Sequence, residues 1–168
     1  MIQVYTGEGK GKTTAALGLA LRALGAGFRV LIIQFMKKGD YSEIKALKKF
    51  NNLEIKQFGS HKFIDKSKIK KEDFERAEKG LAYAIKKIKN KKYNLVILDE
   101  INVALDFGLI KKDRLIKFLK NNSLSTEIVL TGRNAHDKII KLADLVTIMN
   151  KNKHYFDQGL KARKGIEY

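Results

Sequence analysis

Four short apolar runs set the rhythm of this chain: VLII at 30–33, LVIL at 95–98, IVL at 128–130 and LVTIM at 145–149. Each is rich in β-branched residues and almost unbroken by polar ones. Strands buried on both faces of a parallel sheet read this way. IQVY at 2–5 and LEIKQF at 53–58 are further strand candidates. The second alternates apolar with polar residues, as a strand nearer a sheet edge does. Helical patterns lie between these runs. Residues 13–24 predict one helix, stopped by Gly25. Asp40, with Glu43 three positions on, predicts a capped start for a helix whose inner face is Ile44, Leu47 and Phe50. From Glu72 to Asn90, the residues Phe74, Ala77, Leu81, Ile85 and Ile88 recur at steps of three and four, a single stripe facing a core. Residues 111–120 predict another helix, and Asn134 is placed to cap the last, which carries Ile139, Ile140 and Leu142. The alternation of strand and helix predicts an α/β domain: a mainly parallel six-stranded sheet with helices on both faces. No low-complexity linker or internal repeat divides the sequence, so residues 1–168 read as one domain.

Composition narrows the class. At 168 residues and 44% hydrophobic the chain is long and apolar enough to bury a core. With no cysteine it has no disulfide framework and no thiolate metal site, and the cytoplasm is the expected compartment. Its start, MIQVYTGEGKG, reads as a strand entering a turn rather than a secretory leader, and no apolar run approaches the ~20 residues that span a bilayer. The formal charge of +17 would draw polyanions, whether nucleic acid, acidic lipid or a nucleoside triphosphate. Between Lys62 and Lys92, twelve Lys/Arg meet five Asp/Glu, but the aromatic residues there, Phe63, Phe74 and Tyr83, are too widely spaced to interleave as a base-stacking platform needs. A solvated, lysine-rich surface accounts for that excess, so nucleic acid is not the expected partner.

The most informative stretch follows the first strand: TGEGKGKTT, Thr6 to Thr14. The common phosphate-binding loop, G-x-x-x-x-G-K-[ST], would put its first glycine at position 6; here it stands one place later, at Gly7. The context is otherwise right, with a strand before and a helix after. Gly7, Gly9 and Gly11 let backbone N–H groups turn toward an anion, and the following helix points its positive end the same way. Lys12 supplies a charge for phosphate oxygens, Lys10 a second, and the Thr13 hydroxyl is suited to Mg²⁺. Across the sheet, Asp99 and Glu100 end the run NLVILDE, where carboxylates of a parallel strand face the ligand crevice. Arg133, in VLTGRNAH after another strand, is placed at the same edge to clamp a phosphate. The carboxylate pair suits an ATPase as well as other nucleotide chemistry, so it leaves the reaction open. No serine sits in a hydrolase elbow, and His61, His136 and His154 are each more ordinary as surface or capping residues than as bases. If no side chain is the nucleophile, a substrate must bring its own.

These motifs together resemble the phosphate-loop (RecA-like) ATP:corrinoid adenosyltransferases. The resemblance runs nearly end to end through TGEGKGKTTAALGLALRALGAG (6–27), QFMKKG (34–39), LVILDEINVAL (95–105), VLTGRNA (129–135), LADLVTIM (142–149) and KHYFDQGLKARKGIEY (153–168). The displaced glycine is characteristic of that family, and the tail is its most specific part. The resemblance implies that Co(I) of a reduced corrinoid attacks the 5′ carbon of ATP and that triphosphate leaves, in adenosylcobalamin biosynthesis or salvage. It implies that Gly7, Glu8, Gly9, Lys10, Gly11, Lys12, Thr13 and Thr14 bind the nucleotide, with Asp99 and Glu100. It further implies that Thr13 and Glu100 hold Mg²⁺ or Mn²⁺, and that Lys12 and Arg133 meet phosphate. An aromatic residue in QFGSHKFID (57–65) is implied to displace the lower cobalt ligand: Phe63 first, Phe58 second. The sequence departs from the family there, since it has no tryptophan, and again at Arg163, where glutamine is common. A homodimer and a flavodoxin-like electron donor are the implied partners. A nucleic-acid-binding ATPase and a small-molecule kinase are the competing readings.

Overall fold

A computed structural model describes residues 1–61, 64–90, 92–121 and 126–168. Six strands, β1 (Ile2–Thr6), β2 (Val30–Lys37), β3 (Leu53–Ser60), β4 (Leu95–Asp99), β5 (Glu127–Thr131) and β6 (Leu145–Ile148), form one sheet in the order β3-β2-β4-β5-β1-β6. Every adjacent pair is parallel. The helices are α1 (Lys12–Gly25), α2 (Ser42–Leu47), α3 (Lys71–Lys89), α4 (Ile101–Asp106), α5 (Lys112–Lys120) and α6 (Asp137–Ile140).

The unbroken apolar runs are explained by two cores, one on each side of the sheet. Val30, Ile32, Leu95, Ile97 and Val129 pack against Ala16, Leu17, Ala20, Ala23 and Leu24 of α1 and Leu47 of α2. The small alanines let α1 lie close to the sheet. On the other side Leu31, Ile33, Phe35, Val96, Leu98, Ile128 and Leu130 meet Leu81, Ala84 and Ile88 of α3, Leu115 and Leu119 of α5, and Ile139 of α6. Successive side chains of a strand point to opposite faces, so β2 and β4 can have no polar alternate positions until they reach their carboxyl ends.

Several expectations are corrected. LVTIM does not become a strand covered on both faces. It forms the edge strand β6, and Leu145, Val146 and Ile148 are 45%, 37% and 60% exposed. Asp40 does not cap α2: Tyr41 holds the cap position, with no side-chain bond. Asn134 does not cap α6: the His136 ring Nδ1 accepts from the Lys138 N–H (3.1 Å). Asn134 instead takes a left-handed backbone (φ 54°) and donates to Asp106 (3.3 Å). Phe74 opens the α3 stripe but is exposed. Helix α4 was not anticipated. It has six residues, too few to show a helical period, and follows directly on Glu100.

Candidate nucleotide site

The carboxyl ends of β1, β2, β4 and β5 converge on a cleft of about 1050 Å³, into which the β1–α1 loop, Lys37, Glu100, Arg133 and the C-terminal tail all face. The loop turns sharply. Gly7 has φ 101°, and a Cβ on it would lie 2.5 Å from the Met149 carbonyl oxygen, because the chain leaving β6 passes directly against it. Glycine one place later than usual is therefore required by packing as well as by curvature. The Gly9 N–H donates to the Met149 oxygen (2.7 Å), so that donor is committed to the β6 segment. Gly11, at φ 115°, is the cap residue of α1.

Lys12 is buried, and its ammonium donates to the carbonyls of Gly7 (2.7 Å) and Gly9 (2.6 Å). Burial lowers its pKa below the ordinary lysine value, against the attraction of Glu100. Thr13, in the first turn of α1, donates its hydroxyl to Asp99 Oδ1 (2.8 Å). Asp99 is fully buried and accepts three further hydrogen bonds, from the Thr131 hydroxyl (2.7 Å), the Gln34 amide (3.1 Å) and the Lys37 ammonium (3.2 Å). Its burial alone would raise the carboxyl pKa, but Lys37 and the hydroxyls of Thr131 and Thr13 hold it below the usual carboxylate range. Glu100 has a left-handed backbone (φ 62°) and donates its N–H to Thr131 Oγ1 (3.0 Å). Strain of this kind in a non-glycine residue collects at functional sites.

The remaining candidates are placed less uniformly. Thr14 lines the cleft. Arg133 and Glu8 pair with each other at 3.5 Å, both well exposed. Lys10 is held by the tail, at Tyr155 Oη (2.5 Å), Glu167 (2.8 Å) and the Ile166 carbonyl (3.2 Å). Arg163 also pairs with Glu167 (3.2 Å), and Arg163 and Lys10 hold that carboxyl well below its ordinary range. Phe63 lies outside the described residues. Phe58, the second choice, packs against Tyr83 of α3 (centroids 5.6 Å apart) among the core residues of that face, not on the cleft. Lys37, within QFMKKG, carries no sequence signal that marks it as a site residue. Its position at the end of β2 was visible; that β2 lies beside β4, and so beside Asp99, follows only from strand order.

Comparison with known proteins decides the family. The profile described as "ATP:corrinoid adenosyltransferase BtuR/CobO/CobP" matches residues 1–168. The chain belongs to this family. A corrinoid adenosyltransferase of Sinorhizobium sp is 36% identical over 171 aligned positions, covering 100% of this chain and 80% of the relative. Those of Pseudomonas aeruginosa and Escherichia coli K12 are 32% and 30% identical, over 83% and 85% of their lengths. ATP and a corrinoid are the substrates of this family. In the described residues no helix is long and apolar enough to cross a membrane.

Proposed function

We propose that this protein transfers the 5′-deoxyadenosyl group of ATP to the Co(I) centre of a corrinoid and releases triphosphate. One observation carries the reading. A chain of the ATP:corrinoid adenosyltransferase family gathers a glycine-rich loop, the cations Lys10, Lys12, Lys37 and Arg133, and the carboxylate Glu100 around a single cleft. In the proposed step the cobalt electron pair forms a bond to the ribose 5′ carbon. The bond from that carbon to the α-phosphate oxygen breaks, its electrons leave with triphosphate, and Co(I) becomes alkyl-Co(III). Neither a side-chain nucleophile nor a general base is required. Negative charge grows on the leaving group, and donors already aimed at it stabilise the transition state more than the ground state. Lys12, now on the carbonyls of Gly7 and Gly9, is assigned to that charge with Arg133 and the loop from Gly7 to Thr14.

The donors at the carboxyl end of β4 are hard oxygens: the Thr13 hydroxyl and the Asp99 and Glu100 carboxylates. They fit Mg²⁺ or Mn²⁺, which takes few protein ligands and fills its shell with water and substrate phosphates. Thr13 and Glu100 are assigned as the ligands, with Asp99 orienting Thr13. Bound there, the ion supplies counter-charge to the triphosphate. Phe63 is assigned to displacing the lower cobalt ligand. Phe63→Ala is then expected to slow adenosylation of Co(II) corrinoid more than of pre-reduced Co(I), and equal losses would make it a packing residue. The exposed apolar edge of β6 supports a homodimer, and the charge of +17 supports docking of an acidic, flavodoxin-like electron donor. The cytoplasm, where ATP is plentiful, is the proposed compartment. The deciding experiment is mass spectrometry of products from ATP with reduced corrinoid: triphosphate and adenosylated corrinoid are expected. ADP or inorganic phosphate formed without corrinoid, or stimulated by DNA or RNA, would overturn the assignment.

A further inference from the structure

The cation closest to the Asp99–Glu100 pair is Lys37. Its ammonium lies 3.2 Å from Asp99 Oδ2, 3.3 Å from Glu100 Oε1 and 3.3 Å from Thr13 Oγ1. Those oxygens come from the end of β4, the β4–α4 junction and the first turn of α1. They are also the oxygens proposed above to hold a divalent ion.

The backbone is bent to put Lys37 there. Met36, just before it in β2, has φ 58°, a left-handed conformation that a side chain adopts only under constraint. The partner of Met36 in β3 is Gly59, and a Cβ on Gly59 would stand 2.2 Å from the Lys37 backbone nitrogen. The kink therefore needs glycine across the strand pair. Two unusual backbone features converge on aiming a single side chain, which a surface lysine would not need. The Lys37 side chain keeps 27% of its area exposed and lines the cleft, so its flexible stem has somewhere to go. If it leaves, Asp99 still accepts from Thr13, Thr131 and Gln34 at 2.7 to 3.1 Å, and Gln34 is steadied by Gln57 (2.8 Å).

We propose that the Lys37 ammonium is a built-in counter-cation seated on the metal-ligating oxygens, and that it yields them to a divalent ion only when a triphosphate draws it away. Lys37 thereby makes metal and nucleotide enter together and joins the cations on the leaving group. An ammonium and a divalent ion cannot share these oxygens, because at such distances their repulsion opposes every contact either would gain. The proposal rests on the cleft being a metal–triphosphate site.

The test uses Mn²⁺ and inorganic tripolyphosphate, without ATP cleavage or corrinoid. Mn²⁺ binding to the protein alone is measured by the loss of the free-ion electron paramagnetic signal, for wild type, Lys37→Met, Lys37→Gln and Lys37→Arg, each checked for fold by circular dichroism. Both neutral variants are expected to bind Mn²⁺ alone at least ten-fold more tightly than wild type, and to bind Mn²⁺–tripolyphosphate at least ten-fold more weakly. Lys37→Arg, which keeps the charge, should exclude Mn²⁺ as wild type does. Equal Mn²⁺ affinity in wild type and in whichever neutral variant folds would overturn the proposal, as would unchanged tripolyphosphate binding. Because no adenosyl transfer is read, a failure here is separable from a failure of the product analysis above.

Discussion

Lys12 spends its hydrogen bonds on the carbonyls of its own loop, at 2.6 and 2.7 Å. A phosphate oxygen offers a stronger, charge-assisted partner in the same place. Lys12→Ala is expected to reduce kcat/KM for adenosylation by about 10²-fold or more, the usual effect of losing one donor to a developing anion. The far-ultraviolet circular dichroism should stay that of wild type, since the ammonium's bonds to Gly7 and Gly9 are made within its own loop. Turnover within about three-fold of wild type would remove the role assigned to it. Arg133 is more exposed and, among the described residues, pairs with Glu8, so Arg133→Ala should raise KM for ATP with a smaller loss than Lys12→Ala. At this scale the motif residues were legible because a glycine-rich turn followed by Lys-Thr carries its chemistry in contiguous sequence. Lys37 was not legible, because its partners stand 24 and 62 positions away.

Elements are tied by polar clusters as well as by apolar faces. Glu54 on β3 accepts from Lys87 of α3 (2.8 Å) and from the hydroxyls of Tyr83 and Tyr93. Burial alone would raise its carboxyl pKa, but Lys87, Tyr83 and Tyr93 together bring it down to about 2. The folded value lies below the unfolded one, so the stabilisation is present above the unfolded pKa and is lost as pH falls toward 2. Solvent access to the cluster limits its size. The pH dependence of the urea midpoint should therefore be shallower for Glu54→Gln than for wild type between about pH 4.5 and 2. Parallel slopes would mean that the cluster does not persist in solution. The β1–α1 loop depends on β6 in a comparable way. Gly7→Ala would place a methyl 2.5 Å from the Met149 oxygen at φ 101°. It is expected to cost on the order of 2 kcal/mol in urea unfolding and to weaken ATP binding at the same time. Loop and edge strand were both recognisable in the sequence, but not their contact.

At the scale of the whole molecule, the sheet ends at β6 in a strand whose apolar side chains are left uncovered. Leu145, Val146 and Ile148 of β6 are exposed, an uncommon state for a strand of this composition. If a second copy covers that edge, light scattering should give a two-chain mass for wild type and a one-chain mass for Val146→Glu combined with Ile148→Glu. A one-chain wild type would refute the dimer. What the sequence determined by itself was local: apolar runs that must be buried, a 3.6-residue stripe on α3, and a glycine-lysine-threonine loop whose neighbours along the chain already define its use. What the tertiary structure alone decided was adjacency. Strand order set β2 beside β4 and so brought Lys37 onto Asp99; it set β6 outside β1, and so made an apolar run an edge; the tail folded back so that Glu167 holds Lys10. Side-chain periodicity reports which face of an element is buried, because that depends on neighbours within a few residues. Which element lies next to which is a competition among long-range packings, and no local pattern records its outcome.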